Sequence, residues 1–565
     1  MSGHGLGSGL FAGVGAGLLA LTSMLNPAFA HGADVGLIIG GSAIPVPPPS
    51  YVQPAFELYI QPRCPDCTAQ GLFTPEGLYP IYTQPGPSGS AVKQLPFDTS
   101  VFQGRQILDS TIEQQVGDRN DVWIYGESQS STISSLAMTD LAAAGVPRSD
   151  VTFVLVGDPD NPNGGLLARF PGLTLPSLGI TFYGPTPDDL YPTTIYTQEY
   201  DGFADFPQYP INFLSDLNAF FGIYYVHPTY RNLTPTQISP PNAIILPTQG
   251  TTNTTYYMIP TQDLPLLDPL RMIPLVGNPL ADLLQPDLKV LVNLGYGSIT
   301  EGWSQGPANV ETPFGVFPTS ISPIAVIEAL AAGAQQGVQA FIGDVSHLSA
   351  SSLALPSLSS LTHLLTGLSA APAAISPIDI LDNIVNTFTA VIANGYATLL
   401  PTADIANAVL TTLPLYDVNL FLDGIKQHSL LNAVGLPVAA DTGLLTLAAS
   451  FEVIVILNQA AAIGGDIVGV GTGQTQASQV PASATAPKLA ASTNNATSAP
   501  STGGLKQVLR LSPNTDPGQT AASANGNTVS AASGSVKTVG ERLFSAISTG
   551  VKNLTASVPG VKTKK

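Results

Sequence analysis

Residues 121–130 have the sequence DVWIYGESQS, and this short segment indicates the fold class. The apolar run Val122–Tyr125 predicts a buried strand, and a helical pattern begins at Ser130. Gly126 and Ser130 lie two residues before and after Ser128, and their small side chains permit a tight turn between strand and helix. The pattern is typical of a nucleophile elbow, in which a serine is held at the start of a helix.

The segments around this turn alternate between strand and helix patterns. Helical spacing occurs at Gly104–Val116 and Ser130–Ala144, and the second helix has a stop signal at Gly145-Val146-Pro147. Together with the elbow, the alternation predicts an α/β-hydrolase fold with a mostly parallel sheet covered by helices on both faces. The predicted strands are Val35–Gly40, Val122–Tyr125, Val151–Val156, Thr193–Gln198 and Val290–Leu294.

Composition divides the chain into four predicted parts. An apolar run, Leu6–Leu25, precedes the A-x-A cleavage pattern at residues 28–30 and predicts an export signal for the general secretory route. No Lys or Arg precedes Arg63, so an uncleaved membrane anchor is the alternative. The parts are a signal peptide (1–30), a hydrolase domain (34–315), an Ala/Leu-rich helical region (316–471) and a disordered tail (472–565).

One segment of the helical region is long enough to span a membrane. Leu444–Ile463 is strongly apolar over about 20 residues, the length that a bilayer requires. Glu452 lies in its middle and would be costly in lipid, so a packed core helix is the favoured interpretation.

The charge distribution excludes one class of partner. The net charge is −19, and residues 472–565 hold nine Lys or Arg against two acidic residues, so the acidic excess lies in the preceding chain. An acidic body repels phosphate backbones, and we expect no nucleic-acid partner. The basic tail is expected to be solvated, with contact to an anionic membrane surface as the alternative. No Walker A loop, dinucleotide fingerprint or H-E-x-x-H pattern occurs, so we expect no cofactor and no metal.

Cys64 and Cys67 are the two cysteines of the chain. Their C-x-x-C spacing would suit a redox motif if it opened a helix, but Pro62 and Pro65 break the segment. In an exported protein the pair predicts a local structural disulfide. A zinc site would need further ligands, which no nearby His or Cys supplies.

Ser128 requires a base, and histidine is scarce. His4 and His31 flank the predicted signal, and His227 is the first histidine after Ser128 in the organised part of the chain. The α/β-hydrolase order is serine, acid, histidine, which favours His227 over the remaining three. Those three are His347, His363 and His428.

Two carboxylates are candidates for the acid between serine and histidine. The strand Thr193–Gln198 leads into Asp201, at the strand end where such acids usually lie, and Asp205 follows one helical turn later. We favour Asp201 as the group that would hold the imidazole of His227, with Asp205 as the alternative acid.

The oxyanion hole is expected to use two backbone N–H groups, one from the residue after the serine and one from the loop after the first strand. Gln129 follows the nucleophile directly, and the loop Gly40-Gly41-Ser42 follows the first predicted strand. The glycines permit close approach, and the Ser42 hydroxyl offers a further hydrogen bond; an ordinary tight turn is the alternative for this loop.

Four motifs in order resemble the PE-PPE domain of mycobacteria and their relatives. They are Gly126-x-Ser128-x-Ser130, residues 157–165 (GDPDNPNGG), residues 200–207 (YDGFADFP) and Val226-His227. The resemblance covers roughly residues 34–310 and implies a cutinase-like serine esterase. It also implies a triad that maps onto Ser128, Asp201 or Asp205, and His227.

The expected activity is hydrolysis of acyl esters or lipids outside the cytoplasm, in secreted form or at the cell envelope. The alternative is an acyltransferase that builds acylated trehalose lipids through the same acyl-enzyme. A third hypothesis is a non-catalytic envelope protein on a hydrolase scaffold. The apolar loops Phe170–Leu190 and Phe203–Tyr225 are expected to line an acyl groove, while acyl-chain length and oligomeric state are left open by the sequence.

Overall fold

The computed structural model describes residues 34–80, 84–85, 91–92, 95–347 and 399–472, the last sixteen of these as helical backbone alone. The predicted signal peptide, residues 348–398 and the predicted tail from residue 473 lie outside the described residues. Those parts of the domain division therefore stay predictions.

Most of the strands belong to one sheet. Their bounds are β1 Val35–Ile39, β2 Thr68–Leu72, β3 Gln84–Pro85, β4 Ala91–Val92, β5 Val122–Glu127, β6 Val151–Val156, β7 Thr174–Leu175, β8 Ile180–Thr181, β9 Thr193–Gln198, β10 Ile244–Ile245 and β11 Thr254–Ile259. Within the described residues, seven strands pair in the order β10-β11-β9-β6-β5-β1-β2. All neighbours in this sheet are parallel except β10 and β11, so the predicted α/β-hydrolase fold is confirmed.

Helices cover the sheet on both faces. Their bounds are α1 Pro49–Ala55, α2 Phe97–Gly117, α3 Gln129–Ala144, α4 Leu166–Arg169, α5 Phe213–Tyr225, α6 Asp268–Arg271, α7 Gly277–Asn293, α8 Pro323–His347, α9 Leu413–Lys426 and α10 Leu430–Thr472. Helix α3 ends where the sequence predicts, because Gly145 adopts a left-handed conformation (φ 78°) that closes the helix.

Alternate residues of the central strands enter two different cores. Ile124 and Phe153 belong to the core on one face, and Tyr125 and Val154 belong to the core on the other. All four side chains are fully buried. Burial on both faces explains why β5 and β6 are nearly continuous apolar runs rather than alternating ones.

The strand predicted at Val290–Leu294 is wrong. These residues form the end of α7 and begin a short 3-10 turn, Leu294–Tyr296. Val292 and Ala281 of α7 pack in one buried cluster, so the stretch continues the apolar face of a helix. Tertiary packing here overrides the strand propensity of β-branched residues. The last parallel strand is instead β11, which the sequence did not reveal.

The helices after residue 398 form a hairpin, which we call the helical hairpin and define as residues 399–456. Thr402 near its start hydrogen-bonds Glu452 near its end, so its two arms run antiparallel. Leu444 and Leu447 belong to the same core as the sheet strands. By length and composition alone, Leu399–Lys426 and Leu430–Ile456 are also apolar enough to cross a membrane.

Candidate active site

Ser128 occupies the sharp turn between β5 and α3. Its backbone is left-handed, with φ 61° and ψ −121°, which is a strained conformation for a residue with a side chain. A Cβ at Gly126 would meet the Ser130 carbonyl oxygen at 2.9 Å, so only glycine fits two residues before the serine. The turn therefore has the geometry of a nucleophile elbow.

Hydrogen bonds of the flanking residues Glu127 and Ser130 hold this turn in place. The Ser130 hydroxyl accepts from the Glu127 backbone N–H at 2.8 Å, which gives this serine a structural use in place of the usual glycine. The buried Glu127 carboxylate accepts from Tyr51 and Tyr125 hydroxyls, each at 2.8 Å, and from Arg231 at 3.0 Å. Three donors on one oxygen of this carboxylate, directly before Ser128, fix the end of β5. Sequence reasoning missed this support.

His227 and Asp201 form a buried pair. The imidazole Nδ1 lies 2.8 and 2.9 Å from the two carboxylate oxygens of Asp201. With the proton on Nδ1, the ring donates to Asp201 and Nε2 becomes an acceptor. Within the described part of the chain, nothing hydrogen-bonds the buried Nε2, and the Ser128 hydroxyl lies beyond hydrogen-bond distance. Such contacts are often long in structures without substrate.

Asp201 is positioned by the loop after β9 and by a tyrosine. Its carboxylate accepts the Phe203 backbone N–H at 3.0 Å and the Tyr230 hydroxyl at 2.7 Å. Tyr230 follows His227 by three residues in the 3-10 turn His227–Asn232, so one turn presents both partners of Asp201. Tyr230 was not among the residues predicted from the sequence, although its three-residue spacing from the candidate base was a usable signal.

The Asp205 carboxylate is not hydrogen-bonded to His227; Asp201 holds that place. One of its carboxylate oxygens accepts the Tyr200 backbone N–H at 3.0 Å, and its backbone carbonyl accepts the Tyr296 hydroxyl at 3.2 Å. The side chain is fully buried, and this burial raises its pKa well above the usual range, although Arg169 opposes the effect. The structure therefore gives Asp205 a place in the loop scaffold.

Gly157 brings the histidine to the serine turn. This glycine follows β6, whose last residue, Val156, accepts the Ser128 backbone N–H at 3.1 Å. Gly157 has a left-handed φ of 58°, and a Cβ there would meet the His227 ring at 2.9 Å and Tyr230 at 2.8 Å. Because glycine has no side chain, the imidazole can occupy this space beside the elbow.

Gly157→Ala is expected to lower kcat/KM for ester hydrolysis by about 100-fold, because it displaces the His227 ring. Gly145→Ala is the matched control, since Gly145 is also left-handed but a Cβ there meets nothing within 4 Å. Both variants bear a backbone strain of about 1 kcal/mol, and only the first crowds the site. Kinetics on both proteins check this, and equal activities would contradict it.

The candidate oxyanion residues lie together beside Ser128. The Ser42 hydroxyl donates to the Gln129 side-chain oxygen at 2.9 Å, and the Gln129 amide donates to the Gly77 carbonyl at 3.1 Å. A Cβ on Gly41 would lie 3.5 Å from the Ser128 Cβ. Gln129 begins α3, so its backbone N–H has no acceptor within the helix. The Ser42 hydroxyl thus locks the loop to the helix.

A cavity of about 140 Å³ opens beside Ser128. Among its described lining residues, Ser42, Ser128 and Gln129 are polar and the others are apolar. Both loops that the sequence predicted contribute, through Leu175 and Phe182 from the first and Phe203 from the second. The ring of Phe203 also packs edge-on against His227, with centroids 4.8 Å apart.

Cys64 and Cys67 are joined by a disulfide in the turn before β2. Asp34 lies close to both sulfur atoms, but bonded cysteines do not offer thiolates to a metal. Both cysteines belong to the buried core that also contains Tyr59 and Ile38.

Comparisons with known proteins match large parts of the chain. The PE-PPE domain model matches residues 65–297. PPE family protein PPE28 of Mycobacterium tuberculosis is 49% identical over 470 residues, which cover 79% of this chain and 69% of the relative. Esterase PE16 of the same organism is 47% identical over 52% of this chain and 53% of its own. Diacyltrehalose acyltransferase Chp2, also of M. tuberculosis, is 28% identical over 43% of this chain and 68% of the length of Chp2. The chain belongs to the PE-PPE domain family.

Proposed function

We propose that the protein is a serine esterase that hydrolyses acyl esters through a covalent acyl-enzyme. Two observations carry this proposal: the buried His227–Asp201 pair, 2.8 Å apart, whose Nε2 has no hydrogen-bond partner among the described residues, and the strained elbow that holds Ser128. Similarity to a relative named Esterase PE16 supports the same chemistry.

In the proposed reaction, Ser128 attacks the ester carbonyl while His227 removes its hydroxyl proton. Asp201 holds the imidazole tautomer and stabilises the imidazolium that forms. The backbone N–H groups of Gln129 and Ser42 donate to the developing oxyanion. His227 then gives its proton to the leaving alcohol, and a water molecule, activated in the same way, releases the acid and restores the serine.

The pH dependence follows from the surroundings of His227. Burial, the largest single influence, lowers the pKa of the imidazole. The charge and hydrogen bond of Asp201, together with the charge of Glu127, outweigh it, so that the pKa lies above the ordinary 6.5. General-base catalysis needs the neutral ring, so activity is expected to fall as pH drops through this raised pKa. A profile of kcat/KM against pH should show an acid limb with its midpoint above 6.5. A midpoint well below 6.5 would contradict the pairing.

A second candidate is an acyltransferase, because similarity to a relative named diacyltrehalose acyltransferase supports transfer to a sugar hydroxyl. The two differ only in whether water or an alcohol resolves the acyl-enzyme. Product analysis with and without trehalose separates them. Free acid at an unchanged rate supports the esterase, whereas acylated trehalose formed at the expense of free acid supports the transferase.

We also place the protein outside the cytoplasm, in secreted form or at the cell envelope. The disulfide between Cys64 and Cys67 supports an oxidising compartment. The export signal predicted for residues 1–30 and the two apolar arms of the helical hairpin support the same location.

A further inference from the structure

The cavity beside Ser128 is built from two parts of the chain. The sheet and its loops supply one side, and the helical hairpin supplies the other. The lining residues of the hairpin repeat at three- and four-residue intervals, as one face of a helix does. They include Ile405, Val409 and Leu413 on the first arm, and Leu444, Leu447 and Phe451 on the second.

Polar and aromatic contacts hold the hairpin in this position. The Tyr79 hydroxyl donates to the Asp404 carboxylate at 2.8 Å, and the Ser177 hydroxyl donates to the Asp404 backbone carbonyl at 2.8 Å. Phe451 packs edge-on against Phe220 of α5, with centroids 6.0 Å apart. Both arms of the hairpin are therefore attached to the hydrolase domain, the first through Asp404 and the second through Phe451.

The chemistry of the lining points to an apolar ligand. The hydroxyl of Ser128 and its neighbours Ser42 and Gln129 would face the ester group, while every other described lining residue is apolar. A short acyl group would leave this space unfilled. Each methylene buried there adds transition-state stabilisation, up to about a fourfold gain in kcat/KM per methylene.

We propose that the helical hairpin forms the second wall of an acyl-chain binding site. Esters of long apolar acyl chains are then the substrates, and acetyl esters are poor ones. The inference rests on the proposed function and assigns residues 399–456 a role in it. It also makes chain-length selectivity depend on residues that lie outside the matched PE-PPE domain, residues 65–297.

The test uses the full-length chain and two matched pairs of substitutions. Ala448→Trp fills the cavity from the second arm, and Ala449→Trp places the same side chain on the exposed neighbour. Val409→Phe and Leu410→Phe repeat the comparison on the first arm, since Val409 lines the cavity and Leu410 is 74% exposed. For each protein, kcat/KM is measured with p-nitrophenyl acetate, butyrate, octanoate and decanoate, and labelling by a small fluorophosphonate is recorded.

The unsubstituted protein should show kcat/KM rising with chain length. In Ala448→Trp and Val409→Phe, the ratio of kcat/KM on octanoate and decanoate to kcat/KM on acetate should fall at least about tenfold, the worth of two buried methylenes. Both controls should follow the unsubstituted protein. Identical chain-length profiles in a filled variant and its control, with labelling intact, overturn the inference alone. Absence of labelling and turnover in the unsubstituted protein overturns the proposed function itself.

Discussion

Ser128→Ala is expected to lower kcat for ester hydrolysis by at least about 10⁴-fold, because the acyl-enzyme can no longer form. The residual rate would come from the oxyanion donors and from substrate binding. Steady-state kinetics with p-nitrophenyl butyrate, together with thermal unfolding of both proteins, measure this. The unfolding temperature should not fall, because alanine keeps the Cβ and removes only a hydroxyl at this half-buried position, where the backbone φ is positive in both proteins.

Ser134→Ala is the matched control for this substitution. Ser134 lies on α3 and donates its hydroxyl to the Ser130 carbonyl at 2.8 Å, within the helix. Its loss is expected to cost about 1 kcal/mol of stability and no activity. Undiminished turnover by Ser128→Ala would remove the proposed nucleophile and require the hydrolysis to come from another group.

Asp201→Asn is expected to lower kcat by about 10⁴-fold, because an amide no longer favours the tautomer with its proton on Nδ1 of His227. Asp205→Asn tests the alternative acid. Its side chain lies away from the imidazole and accepts a backbone N–H, so this variant should lose stability and keep most of its kcat.

The two asparagine variants are compared in kcat at a fixed pH of 8, with circular dichroism to verify folding. A large loss of kcat in Asp205→Asn alongside a small loss in Asp201→Asn would assign the acid the other way. That result would also require a rearrangement of the loop after β9, because the present geometry pairs Asp201 with His227.

The nucleophile elbow could be predicted because it depends on residues that are adjacent in the sequence. A strand, a serine between small residues and a helix follow one another within ten residues, and steric crowding at Gly126 explains the small residue there. The β-strands on either side were likewise visible as buried apolar runs. By contrast, Val290–Leu294 has the composition of a strand but is largely helical. Its Val292 packs in one buried cluster with Ala281, and the local sequence pattern does not reveal such tertiary packing.

The choice between Asp201 and Asp205 was not decidable from spacing. Both follow β9 within one loop, and the direction of each side chain depends on that loop's backbone, where Tyr200 takes a left-handed φ of 69°. The pairing of Tyr230 with Asp201 depends on the same geometry. The contribution of the helical hairpin to the cavity was hidden for another reason: Leu444 is more than 300 residues away from Ser128 in sequence.

Activation of Ser128 by His227 underlies every step of the proposed reaction. It is tested by reaction of the full-length protein with a fluorophosphonate probe, followed by mass mapping of the labelled peptide. We predict that the label lies on Ser128 and that its rate of formation falls sharply in His227→Ala, while the folded state is unchanged by circular dichroism. Labelling elsewhere, or a folded protein that resists the probe, would contradict the account.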